Sequence, residues 1–334
     1  MWYQKKSALL LLFLLFCAAI WSLLSTRLPA TAILTKNISN FAFAGALLSR
    51  LSSGYGSRAR KCGTDCDRIF KDVFGTLTSG YRACLLEKLN GKKVWSELRK
   101  AISACLGDAM WRLLDVQPFE NRDDIKLAIL PPADIAATGE FANCTEITLG
   151  VGRDIEAELL LRKAQPHCRF YGADPIKASG MVFQELGPYF QLAVAAQGGI
   201  TRASVLENDK YEYRDVPTVT LLDFLTHYVN STKVDYVLMD NEGAEYGLFE
   251  QLLKGGVIEA NNISLCQISV EMHVGVNETT FNKLIHDVIS SSSLLPIWSD
   301  AVGHTRSFYV NVADPYCVGK FFRSKWCGDF EYYI

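Results

Sequence analysis

The fold is decided by the stretch Val234-Asp-Tyr-Val-Leu-Met-Asp240-Asn-Glu242-Gly-Ala-Glu245-Tyr246. Its first half is a short apolar run, which is typical of a buried strand, and its acidic residues follow where that strand ends. A helix is predicted directly afterwards, over residues 246–254. A strand, a polar strand end and a helix in this order form the unit from which parallel sheets with crossover helices are built.

The same unit recurs on both sides of this stretch. With residues 234–239, seven strands are predicted, the other six at residues 146–149, 168–173, 190–196, 263–270, 294–298 and 307–312. The last two are expected to pair antiparallel, and helices are predicted at residues 155–163 and 279–291. The fold class is therefore α/β, with a Rossmann-like, mostly parallel seven-stranded sheet. In such sheets, ligands bind at the carboxyl ends of the strands.

A glycine turn and a carboxylate mark a candidate cofactor site. Gly150-Val-Gly152 follows the first strand, and Asp174 ends the second. Glycines let the backbone approach a ligand closely, and the next helix is expected to offer free N–H groups to a polar cofactor. The carboxylate of Asp174 can accept hydrogen bonds from both ribose hydroxyls of an adenosine cofactor. The pair also fits NAD, but Asp154 stands where the third glycine of the dinucleotide fingerprint is expected. A plain turn is the structural alternative.

The quoted stretch resembles the signature of FkbM-type methyltransferases, which is roughly hydrophobic-Asp-hydrophobic-hydrophobic-Lys-hydrophobic-Asp-x-Glu-Gly-x-Glu. Residues 220–225 resemble the Thr-Leu-Asp segment that precedes it, and residues 149–152 and 171–175 resemble the cofactor motifs. Residues 266–273 are similar to a segment of the nematode branch. The resemblance covers about residues 120–320. It departs in the strand, which lacks the lysine of the signature, and at Asn241, which replaces a commoner valine. It also departs in the glycine loop, whose acid is displaced to Glu146 or Asp154.

The resemblance implies a class I methyltransferase fold that uses S-adenosylmethionine, usually to methylate a hydroxyl group. Gly150, Gly152 and Asp174 would bind the cofactor. Asp240, Glu242 and His273 are the predicted catalytic residues, which would orient or deprotonate the acceptor. His273 is the most attractive base, because the intrinsic pKa of histidine lies near physiological pH. Structural roles are the alternative for each: a solvated helix start for the acids and a packed side chain for the histidine.

The expected acceptor is a glycan, a lipid or another small metabolite. The formal net charge of −2 gives no reason to expect a nucleic-acid partner. No metal ligand is assigned, because the cysteines lack zinc-ribbon spacing. Two other functions fit parts of the sequence. Asp240 and Glu242 could hold a divalent ion in a Golgi-type glycosyltransferase. The displaced loop acid would also suit a lumenal domain that keeps the fold and has lost the chemistry.

The N-terminus predicts a membrane anchor. Lys5 and Lys6 precede an apolar run over residues 8–24, close to the length that spans a bilayer. The lysines would stay cytoplasmic, which gives a single-pass type II protein of the Golgi or endoplasmic reticulum with its bulk in the lumen. Cleavage near Ala30-Thr31-Ala32 is the alternative. The predicted organisation is an anchor (1–25), a stem (26–60), a helical cysteine-containing region (61–118) and a methyltransferase-like domain (119–334).

Cysteines and glycosylation sequons agree with an oxidising compartment. The chain has ten cysteines, which favours disulfides. Four are expected to staple the helical region, namely Cys62, Cys66, Cys84 and Cys105, and proximity suggests a pair of Cys317 with Cys327. Five sequons occur, at Asn37, Asn143, Asn230, Asn262 and Asn277.

Overall fold

The structure is a computed structural model that describes residues 64–325, apart from residues 123, 137–138, 208–209 and 274–276. The predicted anchor and stem, together with Asn37, Cys62 and Cys327, lie outside the described residues. Within the described part of the chain, no helix has the length and apolar character needed to cross a bilayer.

Fourteen strands and five α-helices of six residues or more make up most of the described chain. The helices are α1 (Thr64–Leu89), α2 (Val94–Leu114), α3 (Glu156–Ala164), α4 (Glu245–Glu250) and α5 (Glu278–Ser291). The strands are β1 (Val116–Glu120), β2 (Ile125–Ile129), β3 (Thr145–Leu149), β4 (Arg169–Ala173), β5 (Tyr189–Phe190), β6 (Ala193–Ala195), β7 (Gly199–Glu207), β8 (Lys210–Thr220), β9 (Lys233–Val234), β10 (Tyr236–Met239), β11 (Ser264–Leu265), β12 (Gln267–Met272), β13 (Leu294–Val302) and β14 (His304–Asn311). Short helical segments connect them at Ala133–Ala136, Gly139–Phe141, Lys177–Gly180, Met181–Glu185, Leu221–Asp223, Phe224–Val229, Val257–Ala260, Pro315–Val318 and Gly319–Arg323.

A seven-stranded sheet lies at the centre, in the order β13-β14-β12-β10-β3-β4-β5. β14 runs antiparallel to β12 and β13, and the other neighbours are parallel. The predicted mostly parallel seven-stranded α/β sheet is confirmed, and it is consistent with a methyltransferase fold. Every residue of β3, β10 and β12 is buried, as expected for the middle of a sheet covered on both faces.

A buried ion pair lies at the N-terminal ends of the central strands β10 and β3. Asp235, just before β10, lies 2.6 Å from the Lys320 ammonium, and both side chains are buried. The other Asp235 oxygen accepts a hydrogen bond from the backbone N–H of Thr145 at the start of β3. Breaking such a pair would leave an uncompensated buried charge. The first aspartate of the family signature is therefore structural in this chain.

The helical region packs directly on this sheet. α1 is one continuous helix, and the Cys84–Cys105 disulfide links it to α2. The Tyr81 hydroxyl donates to the Pro296 carbonyl of β13, at 2.7 Å. The predicted stapling of the helical region is confirmed for Cys84 and Cys105, and Cys66 is also disulfide-bonded.

Three features differ from the predicted elements. The predicted third strand is wrong as one element: β5 joins the main sheet, whereas β6 pairs with β8 in a second, three-stranded sheet. A backbone hydrogen bond from Leu192 to Phe190 turns the chain between them. The β1–β2 hairpin and the β7–β8 ribbon are both additional to the predicted strands.

Two further disulfides hold the sheet region. Cys144–Cys168 joins the residues that precede β3 and β4, and Cys266–Cys317 joins the residue before β12 to the C-terminal helical segment. The expected pair of Cys317 with Cys327 is therefore wrong. Proximity in sequence misled, because the chain after β14 folds back to the start of β12, where Asn311 also hydrogen-bonds to the Leu265 carbonyl.

Candidate active site

The glycine turn after β3 lies against the end of β10. Gly150 and Gly152 both have positive φ, at 79° and 62°. A Cβ added to Gly150 would lie 1.8 Å from the Asp240 carbonyl oxygen, whereas one added to Gly152 would meet no atom within 4 Å. Gly150 is therefore required by backbone packing, and Gly152 faces open space that a ligand could enter.

Asp174 at the end of β4 reaches back to this turn. Its Oδ2 accepts from the Gly152 N–H at 3.0 Å, and its Oδ1 accepts from the Ile176 N–H at 2.7 Å and from the Ser179 hydroxyl at 3.3 Å. Burial raises the pKa of Asp174, and these hydrogen bonds oppose the shift. The structure thus brings the three predicted cofactor residues, Gly150, Gly152 and Asp174, together at one sheet edge.

The N-terminus of α3 differs from the expectation of free N–H groups. Asp154 Oδ1 accepts from the Glu156 N–H, and the Asn121 side chain accepts from the Ala157 N–H at 2.8 Å. Asn121 comes from the β1–β2 loop, and Asp154 also accepts from the Arg122 N–H in that loop. These side chains satisfy first-turn donors that a cofactor would otherwise meet.

Glu146, one candidate for the displaced acid of the glycine loop, does not take part in the glycine turn. Glu146 is fully buried in β3, and its Oε1 accepts from the Thr148 hydroxyl, which also lies 3.1 Å from Glu158 of α3. Burial raises the pKa of both carboxyls, that of Glu158 to about 7, and the neighbouring charge of Glu158 adds to the shift at Glu146. Glu146 therefore belongs to the layer between β3 and α3.

The acidic segment after β10 forms a tight turn around a buried carboxylate. Glu242 has a positive φ of 51°, followed by Gly243 at 108°. Glu245 is fully buried and accepts from the N–H groups of Asn241, at 2.7 Å, and Gly243, at 2.8 Å. This positioning role of Glu245 was missed in the sequence, although the residue is part of the quoted stretch.

His273, just after β12, joins the acidic segment. Its Nδ1 lies 3.0 Å from Glu245 Oε1, and its Nε2 lies 3.5 Å from Asp240 Oδ1 and 3.4 Å from Glu242 Oε2. The Tyr246 hydroxyl donates to the His273 carbonyl at 2.6 Å. The three predicted catalytic residues, Asp240, Glu242 and His273, therefore form one cluster, which we call the acidic cluster.

Charges shape the protonation of this cluster. Burial raises the pKa of Asp240 to about 7, opposed by the positive charge of Lys126. Burial alone would lower the pKa of His273, but the hydrogen bond and charge of Glu245, followed by Asp240 and Glu242, outweigh it and raise this pKa to about 9. In the absence of a bound cation, His273 is thus an imidazolium at neutral pH and has no lone pair with which to act as a base.

A second cation near Asp240 comes from the β1–β2 hairpin. Lys126 of β2 is buried and lies 2.5 Å from Asp124. Burial lowers its pKa, but Asp124 and then Asp240 more than offset this, so the net shift is upward. No local pattern marks Lys126 in the sequence, because its charge is placed near Asp240 only by the packing of the hairpin on the sheet.

The sheet, the glycine turn and the adjoining acidic cluster define a methyltransferase-type α/β domain. The chain belongs to the FkbM methyltransferase family, since the family model described as Methyltransferase FkbM domain matches residues 92–295, more than half of the 334 residues. Comparisons with curated proteins and with solved structures found no match.

Proposed function

We propose that this protein is an S-adenosylmethionine-dependent methyltransferase that methylates a hydroxyl group. The observation that carries the proposal is the contact between Gly150 and the Asp240 carbonyl, which leaves no room for a side chain. The glycine turn and the acidic cluster therefore adjoin, so a methyl donor at one would face an acceptor at the other. Family membership favours this chemistry over nucleotide-sugar transfer.

The residues around the glycine turn fit the cofactor. Gly152 leaves open space, and the buried Asp174 carboxylate lies beside it, where a ribose can donate its hydroxyl hydrogens. The negative charge of Asp174 disfavours a pyrophosphate and suits a cofactor without phosphates. When bound, S-adenosylmethionine supplies a methyl group on a positively charged sulfonium.

The acidic cluster would hold the acceptor. Its carboxylates can accept hydrogen bonds from hydroxyl groups, and their charge would repel phosphorylated acceptors. In the transfer, the acceptor oxygen bonds to the methyl carbon while the carbon–sulfur bond breaks, and the hydroxyl proton passes to the cluster or to water. Alignment of the two reactants supplies much of the rate in such a displacement. A glycan, a lipid or another polyhydroxylated metabolite is the acceptor class that this surface suits.

We further propose that the domain lies in the lumen of the Golgi or endoplasmic reticulum, tethered as a type II protein through residues 1–25. Three disulfides join described cysteines, and such bonds persist in oxidising compartments. The four sequon asparagines in the described part, Asn143, Asn230, Asn262 and Asn277, are exposed. Sensitivity of the secreted-pathway protein to an N-glycosidase, with the N-terminus reactive only on the cytosolic side, would test this.

Isothermal titration of the full chain with S-adenosylmethionine tests the cofactor assignment. We expect saturable binding by the wild type and a large loss in Asp174→Ala. Ser179→Ala is the matched control, because it removes one neutral hydrogen bond to the same carboxylate and should keep the affinity. No binding by a folded wild type, or equal binding by Asp174→Ala, would refute the assignment. Release of S-adenosylhomocysteine with polyol acceptors then tests catalysis.

A further inference from the structure

The spacing within the acidic cluster is unusual for hydrogen bonds between charged groups. His273 Nε2 lies 3.5 Å from Asp240 Oδ1 and 3.4 Å from Glu242 Oε2. Charge-assisted N–H···O bonds are shorter, about 2.7–2.9 Å. Two ligand atoms that each lie about 2.1 Å from a tetrahedral metal ion are about 3.4 Å apart, which matches the observed separations.

The orientation of His273 also suits a metal ligand. Glu245 is fully buried, is held by two backbone N–H groups and lies 3.0 Å from His273 Nδ1. A carboxylate at one ring nitrogen fixes the tautomer in which the other nitrogen presents its lone pair, as is usual for metal-binding histidines. When a metal ion takes the place of the Nε2 proton, the Nε2 lone pair would point at the ion, which would lie between His273 and the oxygens of Asp240 and Glu242.

A related observation concerns Asp240. Its Oδ1 is a buried atom without a hydrogen-bond donor among the described residues. Buried carboxylate oxygens normally have donors, and each exception calls for an explanation such as a missing ion. This oxygen is the same atom that faces His273 Nε2.

We infer that Asp240, Glu242 and His273 bind a divalent metal ion of the first transition row. Their ligand atoms lie close enough together to share one ion. A mixed set of imidazole and carboxylate groups suits Zn²⁺ or Mn²⁺, whereas Mg²⁺ and Ca²⁺ prefer oxygen ligands alone. The choice of this triad follows from the neighbouring acids, because a second possible group of Glu271, His273 and His304 includes a carboxylate already paired with Arg306 at 2.9 Å.

Three protein ligands leave a coordination position open, as in catalytic metal sites. A hydroxyl or vicinal diol of the acceptor could occupy it, and the ion would hold the oxygen on the side of the glycine turn. This part of the inference rests on the proposed function and names the acceptor class more closely. Metal binding itself does not depend on methyl transfer.

Titration of the metal-free full chain with Mn²⁺ alone tests the site. Mn²⁺ is the probe because thiolates bind it weakly, so the cysteines interfere little. We expect one Mn²⁺ per chain and an electron spin-echo signal from one imidazole nitrogen. Asp240→Asn and His273→Gln should abolish binding, and Glu245→Gln should weaken it about tenfold to a hundredfold. Asp154→Asn, which alters another carboxylate at the same sheet edge, should keep the wild-type affinity.

Several results would overturn the inference. These are a folded wild type that binds no Mn²⁺, bound Mn²⁺ without the imidazole signal, and loss of binding in Glu271→Gln but not in Asp240→Asn. S-adenosylmethionine titration of the same metal-free sample separates the two proposals. Cofactor binding without Mn²⁺ binding would refute the metal site only, whereas Mn²⁺ binding without cofactor binding would refute the proposed function only.

Discussion

The glycine turn and the acidic cluster adjoin at one edge of the sheet, but their aspartates differ in how many hydrogen bonds they accept from the protein. Asp174 beside the turn accepts hydrogen bonds at both oxygens from groups of the protein itself. Asp240 in the cluster has a buried oxygen that faces an imidazole at 3.5 Å and accepts no hydrogen bond from the described residues. The hydrogen bonds of the first region are made within the protein, and its carboxylate can receive a neutral ribose. The second region places three carboxylates within 3.5 Å of one imidazole and should bind a cation or hydrogen-bond donors.

The largest expected effect is a difference in stability between alanine substitutions at the two glycines of the turn. Gly150→Ala would place a methyl group against the Asp240 carbonyl at a positive φ, so we expect a loss of about 3–5 kcal/mol in the free energy of unfolding. Gly152→Ala is the matched control, with a similar φ but open space, and should cost about 1–2 kcal/mol. Chemical denaturation measures both, and equal losses would contradict the close packing of the turn on β10.

The buried carboxyl of Glu158 should make the free energy of unfolding depend on pH by about 3 kcal/mol. Burial raises the folded-state pKa of Glu158 to about 7 from its ordinary value of 4.5, so its stabilising contribution is complete below pH 4.5 and is lost as pH rises through 7. Glu158→Gln should therefore gain stability relative to the wild type over that window. Glu156→Gln, on the exposed side of α3, should follow the wild-type profile. Parallel profiles for Glu158→Gln and wild type would refute a protonated acid here.

The different roles proposed for the Asp174 and Asp240 carboxylates should be visible in the affinity for S-adenosylmethionine. Asp174→Ala removes the acceptor of ribose hydrogen bonds and should weaken S-adenosylmethionine binding by about 2 kcal/mol, roughly thirtyfold in Kd. Asp240→Ala should keep the affinity within about threefold and lose turnover. Titration calorimetry and a transfer assay measure the two effects. Equal weakening by both variants would show that the turn and the cluster bind one ligand jointly.

The smallest effect concerns the start of α3. Asn121→Ala removes the side chain that caps the Ala157 N–H, which should cost about 1 kcal/mol in unfolding free energy. Cofactor affinity should stay unchanged, because this donor is satisfied by the protein. A tenfold change in S-adenosylmethionine affinity would instead place the cofactor at the helix N-terminus.

The central sheet could be predicted because its strands are buried on both faces. β3, β10 and β12 appear as apolar runs that end in polar residues, and parallel strands bring those ends to one edge. That rule was enough to group Asp240, Glu242 and His273. The β7–β8 ribbon escaped prediction because its side chains do not alternate cleanly, with Ile200 and Tyr213 both largely exposed.

Features that depend on distant packing could not be predicted. The β1–β2 hairpin has Pro118 in one strand and a buried lysine in the other, which are weak strand signals. Its side chains nevertheless cap α3 and place Lys126 near Asp240. The Cys266–Cys317 bond likewise depends on how the C-terminal segment folds back, which residue spacing does not encode.

The unequal surroundings of the two turn glycines have an evolutionary consequence. Alanine or asparagine at position 152 would be a modest burden, so this position can drift once a lineage abandons the reaction. Position 150 is locked by the neighbouring backbone whether or not the enzyme works. Among relatives of this chain, substitution at the position of Gly152 with an unchanged Gly150 would therefore indicate that methyl transfer has been lost. Relatives that keep Gly150, Gly152 and the acidic cluster together would be those in which methyl transfer is still under selection.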